Sequence, residues 1–395
     1  MKTLLIKTGK ALSALKQEGL VRGGKRVAKS FFSQFGRVRP GDILFVTPGV
    51  GDSARYRVRN QAEELEVHGF KCSVTIQDNP FLPRYADKFK IFIFHRLIYT
   101  KNLAKLFERA KELGKEIIFE TDDLVFDAKY IQATDHFRKM NALERKQYEK
   151  GVGEEILKDP RVKTCVTTTS YLAKILERYG KKVFVSKNKL SLEDIQIIEK
   201  ILENKPKPKI SDESRALVRI GYFAGTKGHN RNFATVEDAL VRILEKYENV
   251  KLVLAGPLKI SEKFEKFGSQ IEKLPFASWE EHLRNIASVD INIIPLEKNP
   301  FCDSKSELKF FEAGVFEVPS VAVDNQTYRE TIEDGVNGFL AGSEEEWFEK
   351  LEKLVDSEDL RRRIGKEARE TAFREHTTKN SHNKEYYDYL KLKLR

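Results

Sequence analysis

One alternation constrains this chain more than any other feature: short apolar runs separated by amphipathic segments, stated over residues 41–200 and then again after residue 216. In the first half, DILFVTP (42–48), KCSVTIQD (71–78), KIFIFHRL (90–97), KEIIFETDD (115–123), KTCVTTTS (163–170) and KVFVSKN (182–188) read as strands. QAEELEVHG, LAKLFERAKELG and YLAKILERYG read as helices between them, each closed by a glycine where a helix C-terminus favours a left-handed residue. Nearly continuous apolar strands separated by helices imply a parallel sheet covered on both faces. The Lys-Pro-rich segment ILENKPKPKISDESRA (201–216) interrupts the pattern as an extended, solvated linker would. The same grammar then restarts with ALVRIGYFAG, VKLVLAG, IEKLPF, DINIIPL, VPSVAVD and NGFLAG. The expected fold class is therefore α/β, with two Rossmann-like doubly wound domains facing a cleft and ligands beyond the carboxyl ends of the strands. The expected boundaries are a basic arm (1–40), an N-terminal domain (41–200), a linker (201–215), a C-terminal domain (216–375) and a helical tail (376–395).

Length agrees with two domains, since 395 residues exceed one typical core. No apolar run approaches the roughly 18–20 residues that cross a bilayer, and no secretory signal is expected. Cys72, Cys165 and Cys302 are odd in number, widely spaced and without histidine at metal spacing, which points to a reducing compartment and no structural zinc. The net charge of +11 is concentrated: residues 1–40 hold ten Lys or Arg and one acid, Glu18, leaving only +2 on the other 355 residues. That distribution removes the case for a nucleic-acid-binding body. Within the arm, Leu5, Leu12 and Leu15, and then Val27, Phe31 and Phe35, fall at helical spacing among basic residues. Such a pair of helices suits either an anionic membrane surface or packing on the domain. The expected location is cytoplasmic, with peripheral contact at the inner face of the cell membrane.

Candidate chemistry gathers at strand exits. Gly49 and Gly51 after the first strand would let backbone amides approach a ligand, and Arg55, Arg57 and Arg59 open the next helix, where the dipole favours acids instead. His95 and Arg96 end the third strand; Asp122 and Asp123 end the fourth, either as a turn and cap or as groups for sugar hydroxyls, base chemistry or a metal. In the second half, Gly225, Thr226, Lys227, His229 and Arg231 form a small basic turn suited to phosphate or sugar. In CDSKSELKFFEAGVFEVPSVAVD (302–324), Ser304 and Glu307 fit a capping box, so a helix starting at Lys305 is expected. Its amino end would offer free amides to a pyrophosphate. Lys305, Lys309 and Glu312 would share one stripe, while Leu308, Phe311 and Val315 go to the core. That polar stripe suits either a solvated ion-paired face or a ligand site.

These last pieces, RIGYFAGTKGHN, VKLVLAG, DINIIPL, SELKFFEAGVFEVPSVAVD and IEDGVNGFLAG, resemble in order and spacing the retaining, nucleotide-sugar-dependent glycosyltransferases of family 4, of GT-B fold. The first half is similar through GDSARYRVRNQAEELEVHGF, FETDDLVF and CVTTTSYLAKILERYGKKVFVSKN, and the likeness spans about residues 41–375. It implies transfer of a sugar from a nucleoside-diphosphate donor to a glycan or lipid-linked acceptor in surface polysaccharide synthesis. The donor would be a co-substrate, with no permanent cofactor, no metal and no nucleic acid partner. By that resemblance Glu312 holds the nucleotide ribose, Lys309 with Arg231 or Lys227 meets the diphosphate, and Gly49 and Gly51 bring a loop to it. His95 and Asp122 or Asp123 face the acceptor or the moving sugar. The family pattern of Glu, seven residues, Glu is broken, because Ser304 stands eight before Glu312. A non-catalytic nucleotide or glycan binder and a nucleotide-sugar epimerase remain alternatives.

Overall fold

The computed structural model describes residues 38–49, 51–132, 151–204, 217–225 and 229–395, with positions 24, 28, 35, 36, 137 and 145. The expected amphipathic helices of the arm and the turn residues Thr226 and Lys227 lie outside the described residues, as does most of the expected linker. Every apolar run named above contains a strand. These are β1 Ile43–Thr47, β2 Cys72–Ile76, β3 Ile91–His95, β4 Glu116–Thr121, β5 Thr164–Thr167 and β6 Lys182–Val185 in the first half. The second half has β7 Val218–Phe223, β8 Val250–Ala255, β9 Ile271–Leu274, β10 Ile291–Ile294, β11 Ser320–Val323 and β12 Phe339–Ala341.

The chain divides into two units, residues 1–191 with 381–395, and residues 192–380. In the first, the sheet order is β2-β1-β3-β4-β5-β6 with parallel pairing throughout. Strands β1 and β3 are buried along their whole length, as expected for a sheet covered on both faces. The order reverses between β1 and β3, so the exits of those strands diverge and leave a crevice there. The second unit is likewise parallel, in the order β12-β11-β10-β7-β8-β9, and reverses between β7 and β10. Taken in chain order its strands run 3-2-1-4-5-6, the dinucleotide-fold arrangement.

Local signals set the helix limits. Thr100 and Thr169 cap the helices Lys101–Glu112 and Ser170–Glu177 by accepting from Leu103 N and Leu172 N. Gly69, Gly114 and Gly180 close three helices with φ of 89°, 62° and 70°. Both domain edges differ from expectation. The helix Leu192–Glu203 belongs to the second unit, where Trp279 Nε1 donates to the buried Asp194 Oδ1 at 2.9 Å. At the other end, Tyr386, Tyr387 and Leu390 of the helix Lys384–Leu394 join the first unit's core with Phe45, Ile93 and Phe184. The tail is thus a structural part of the first unit, fastened by a buried carboxylate: Lys189 Nζ donates to Glu64 Oε2 at 2.7 Å, and Ser381 Oγ and Tyr387 Oη donate to Glu64 Oε1 at 2.8 and 2.5 Å. No helix among the described residues is long and apolar enough to cross a membrane.

Candidate functional site

Each unit gathers polar groups at its own point of sheet reversal. In the second unit the centre is Lys309, on the helix Leu308–Gly314. Its Nζ donates to the carbonyl of Phe223, the last residue of β7, and lies 5.0 Å from the centre of the Tyr222 ring. Burial is the largest influence on this ammonium, and with Lys305 nearby it brings the pKa down to about 8 against the pull of Glu312. His229 feels the same field: burial, then Lys309 and Lys305, lower its pKa to about 3, so its imidazole is neutral at physiological pH. Lys309, Lys305 and a neutral imidazole thus act on one another near the exit of β7, and burial makes the Lys309 charge costly to hold. Glu312 is buried, with Oε2 3.4 Å from His282 Nε2. His282 in turn packs edge-on to Phe223 and against Trp279.

The stripe of residues 305, 309 and 312 is therefore no solvated face, but the expected local geometry is corrected. The helix starts at Leu308, with no side-chain cap at Glu307. A separate short helix, Pro300–Asp303, precedes it, started by Asn299, whose side chain accepts from Cys302 N, and by Pro300 at its first position. Asn-Pro supplies the stronger helix-start signal, and Ser304 falls at the end of that turn, fully buried, with Oγ donating to Phe301 O at 2.7 Å. The capping box and the open amino end at Lys305 are thereby replaced, and the Ser304 hydroxyl is spent internally. Phe310 takes the fully buried position expected of Leu308. Arg231 is half exposed and ion-paired with Glu297 at 2.5 Å; the cation acting on Lys309 is Lys305. Gly225 is exposed at the exit of β7.

In the first unit, side chains from the ends of β1, β3 and β4 meet across that crevice. His95 is buried, its Nδ1 donating to Glu120 Oε2 and its Nε2 2.8 Å from Ser53 Oγ. Ser53 Oγ also lies 3.1 Å from Asp122 Oδ2, and Arg96 Nη1 donates to Asp122 Oδ1 at 2.8 Å. The salt bridge from Arg96 to Asp123 measures 3.5 Å. Arg96 adopts φ 47°, a left-handed backbone uncommon for a residue with a side chain. Burial pushes the Asp122 carboxyl up, but Arg96, His95 and Arg57 outweigh it and hold the group well below the usual carboxylate range. Asp122 is thus ionised, with its side chain 17% exposed, and suited to accepting hydrogen bonds from hydroxyl groups.

The basic cluster after β1 splits. Arg57 is completely buried, with Nε on Glu120 Oε1 at 2.7 Å and Nη1 on Ser186 O at 2.7 Å and Asn188 Oδ1 at 3.1 Å. Its apparent conflict with the helix dipole is resolved by an internal carboxylate rather than a ligand. Arg55 is half-buried and Arg59 exposed. At Gly49 and Gly51 a Cβ would meet nothing within 4 Å, so the fold itself does not demand glycine there. Arg59, Gly49 and Thr47 line a cavity of about 240 Å³ with Val74 and Ile76. Ser53, Glu120 and His282 were missed in the sequence; only the position of Glu120 two residues before Asp122 hinted at a shared strand end.

Residues 200–371 match the family model of the glycosyl transferases group 1. EpsD of Bacillus subtilis, named as a glycosyltransferase, is 26% identical over 151 residues, and the match spans 37% of this chain and 38% of that relative's length. Among solved structures, Anabaena HepE in complex with UDP is similar with a TM-score of 0.56 at 14% identity, over 89% of this chain and 100% of that one. A glycosyltransferase from Rickettsia africae gives 0.57 at 15% identity, over 89% and 99%. The likeness to these structures shows the fold, a GT-B type made of two Rossmann-like domains.

Proposed function

We propose that the protein is a retaining glycosyltransferase that moves a sugar from a nucleoside-diphosphate donor to a glycan or lipid-linked glycan during surface polysaccharide synthesis. One observation carries the reading: Lys309, Lys305, His229 and Glu312 converge at the β7 exit, the reversal point of the unit that matches the group 1 family model. The ammonium groups would stabilise the charge that grows on the departing diphosphate, the term that most lowers the barrier of such a transfer. Glu312, steadied by His282, would accept hydrogen bonds from the ribose hydroxyls. Arg231, Gly225, Thr226 and Lys227 would border the phosphates. Two lysines can neutralise a diphosphate without a metal. In the first unit the ionised Asp122, with Asp123 and His95, would receive the acceptor or the moving sugar through its hydroxyls, and Gly49, Gly51 and Arg55 would line the approach.

HepE was crystallised with UDP, which makes UDP the first nucleotide to try. Calorimetric titration with UDP, GDP and dTDP should give binding of one of them that weakens at least about tenfold in Glu312→Ala and in Lys309→Met, a loss of roughly 1.4 kcal/mol or more. Binding equal in wild type and both variants would remove the donor site from this position. Retention is tested on the product, whose anomeric configuration by NMR should equal that of the donor. The basic arm of residues 1–40 would hold the enzyme to anionic membrane; deletion of residues 1–38 should abolish sedimentation with anionic vesicles, and undiminished sedimentation would end that part of the proposal.

A further inference from the structure

We propose that the cavity of about 240 Å³ beside β1 and β2 is a binding site for an aliphatic anion, a single hydrocarbon chain that ends in a phosphate or a carboxylate. The site involves neither Lys309 nor the Asp122 cluster. A lipid-linked acceptor is one source of such a molecule, and only that source rests on the proposed function.

The cavity forms where a well-filled face of the sheet runs out of bulk. β2 is an edge strand paired in parallel with β1, in the register Phe45 with Val74 and Thr47 with Ile76. Side chains at paired positions project from one face and alternate along each strand. On that face Ile43 and Phe45 share a core with Val58, Ala62 and Leu65 of the helical run after β1. Beyond them, beside Thr47 and Ile76, the helical wall is only Ala54, and a Cβ on Gly49 would meet nothing within 4 Å. Val74, 38% exposed, gives the cavity an apolar flank to solvent. Since an apolar cavity of about 150 Å³ holds benzene, 240 Å³ has room for roughly ten non-hydrogen atoms. That is an anionic head and about five carbons, with the rest of a chain leaving past Val74.

Two polar groups define the head. Thr47 is 2% exposed, and its Oγ1 has no hydrogen-bond partner among the described residues. An unpaired buried hydroxyl is a cost to the fold, and a ligand oxygen that accepts its proton removes that cost. Arg59 lines the same cavity, is exposed, and makes no hydrogen bond or ion pair among the described residues. Arg57, two residues earlier, is by contrast spent on Glu120. A guanidinium presents a planar fork to a phosphate or carboxylate, and the Thr47 hydroxyl adds a further donor in the same small space. Ala54, Val74 and Ile76 are apolar, so a sugar or a nucleotide base would leave hydrogen bonds unmade against them, whereas a hydrocarbon chain loses none.

The test titrates the full-length protein, with labelled alanine, valine and isoleucine methyl groups, with geranyl phosphate and separately with decanoate, each below the concentration at which it forms micelles. The methyl signals of Ala54, Val74 and Ile76 should move. Calorimetry should show one of the two probes bound at least about tenfold more tightly than geraniol, decanol or inorganic phosphate. A preference for geranyl phosphate identifies a lipid phosphate, and a preference for decanoate a fatty acid. Arg59→Gln should weaken that binding at least about tenfold, and Thr47→Val, which keeps the volume, at least about threefold. Geraniol bound as tightly as geranyl phosphate, or binding undiminished in Arg59→Gln, would overturn the proposal. So would binding lost in Lys309→Met, which would put the phosphate at the β7 exit instead. Movement of the same methyl signals on deletion of residues 1–34, with no ligand present, would make the arm the occupant and overturn it too. A protein that takes the aliphatic anion but no nucleoside diphosphate would end the transferase reading and leave this site standing.

Discussion

Lys309 shows how one residue can be expensive to the fold and useful to a ligand. Its pKa of about 8 comes from burial first, with Lys305 adding to it, so the protein holds the charge reluctantly. A diphosphate would reverse that balance and raise the pKa. Below about 8 the ammonium is already charged and binding needs no proton; above it, binding must take one up. Nucleoside-diphosphate affinity should therefore fall as the pH rises through that value, between roughly pH 7 and pH 9.5. Calorimetry in buffers of different ionisation enthalpy should register the proton uptake at the alkaline end. Affinity that is flat across this range would mean that Lys309 does not meet the phosphates. The residue and its spacing to Glu312 were legible in the sequence. Its partner was not, because Phe223 lies 86 positions away and joins it only when β7 packs beside this helix.

At the scale of elements, backbone contacts decide which turns tolerate change. Gly256 ends β8 with φ 92°, and a Cβ there would stand 2.0 Å from Ala224 O. Gly256→Ala combines left-handed strain with a backbone clash and should destabilise the second unit by about 2–4 kcal/mol. Chemical denaturation should show it as a lower midpoint, and a value within error of wild type would contradict the crowding at that turn. The misplaced helix start at residues 304–308 is a lesson at the same scale. Ser-x-x-Glu and Asn-Pro compete for one start, and the hydroxyl of Ser304 is captured by a carbonyl inside the preceding turn. Periodicity could not rank the two, since both motifs are locally sound.

Across the whole molecule, the last helix is what makes the first unit complete. Glu64 is buried; burial raises its pKa, and Lys189, Tyr387 and Ser381 more than offset this and lower it. A carboxylate depressed in the folded state adds stability above its unfolded value near 4.5, and that stability is lost as the pH falls through the folded value. The first unit should thus lose the docking of helix Lys384–Leu394 on acidification, seen as rising hydrogen exchange in that helix before the rest of the unit. Lys189→Met leaves the carboxylate without its ammonium and should cost about 3–5 kcal/mol, while the double change Glu64→Met with Lys189→Met should cost less. Equal losses in the single and double variants would show that packing, not the buried pair, holds the tail.

The sequence by itself determined the two α/β domains, because strands buried on both faces must be apolar along their length and helices must carry a stripe. It also placed His95, Asp122, Lys309 and Glu312 at strand exits and on the right helix. Only the tertiary structure decided which groups meet: Arg57 with Glu120 and not with a ligand, Ser53 between His95 and Asp122, Lys309 on the carbonyl of Phe223. It also decided that residues 381–395 finish the first unit. The reason is range. Burial patterns repeat every two or four residues and can be read locally, whereas a hydrogen bond across a parallel sheet joins positions tens to hundreds of residues apart, with no periodicity to announce it.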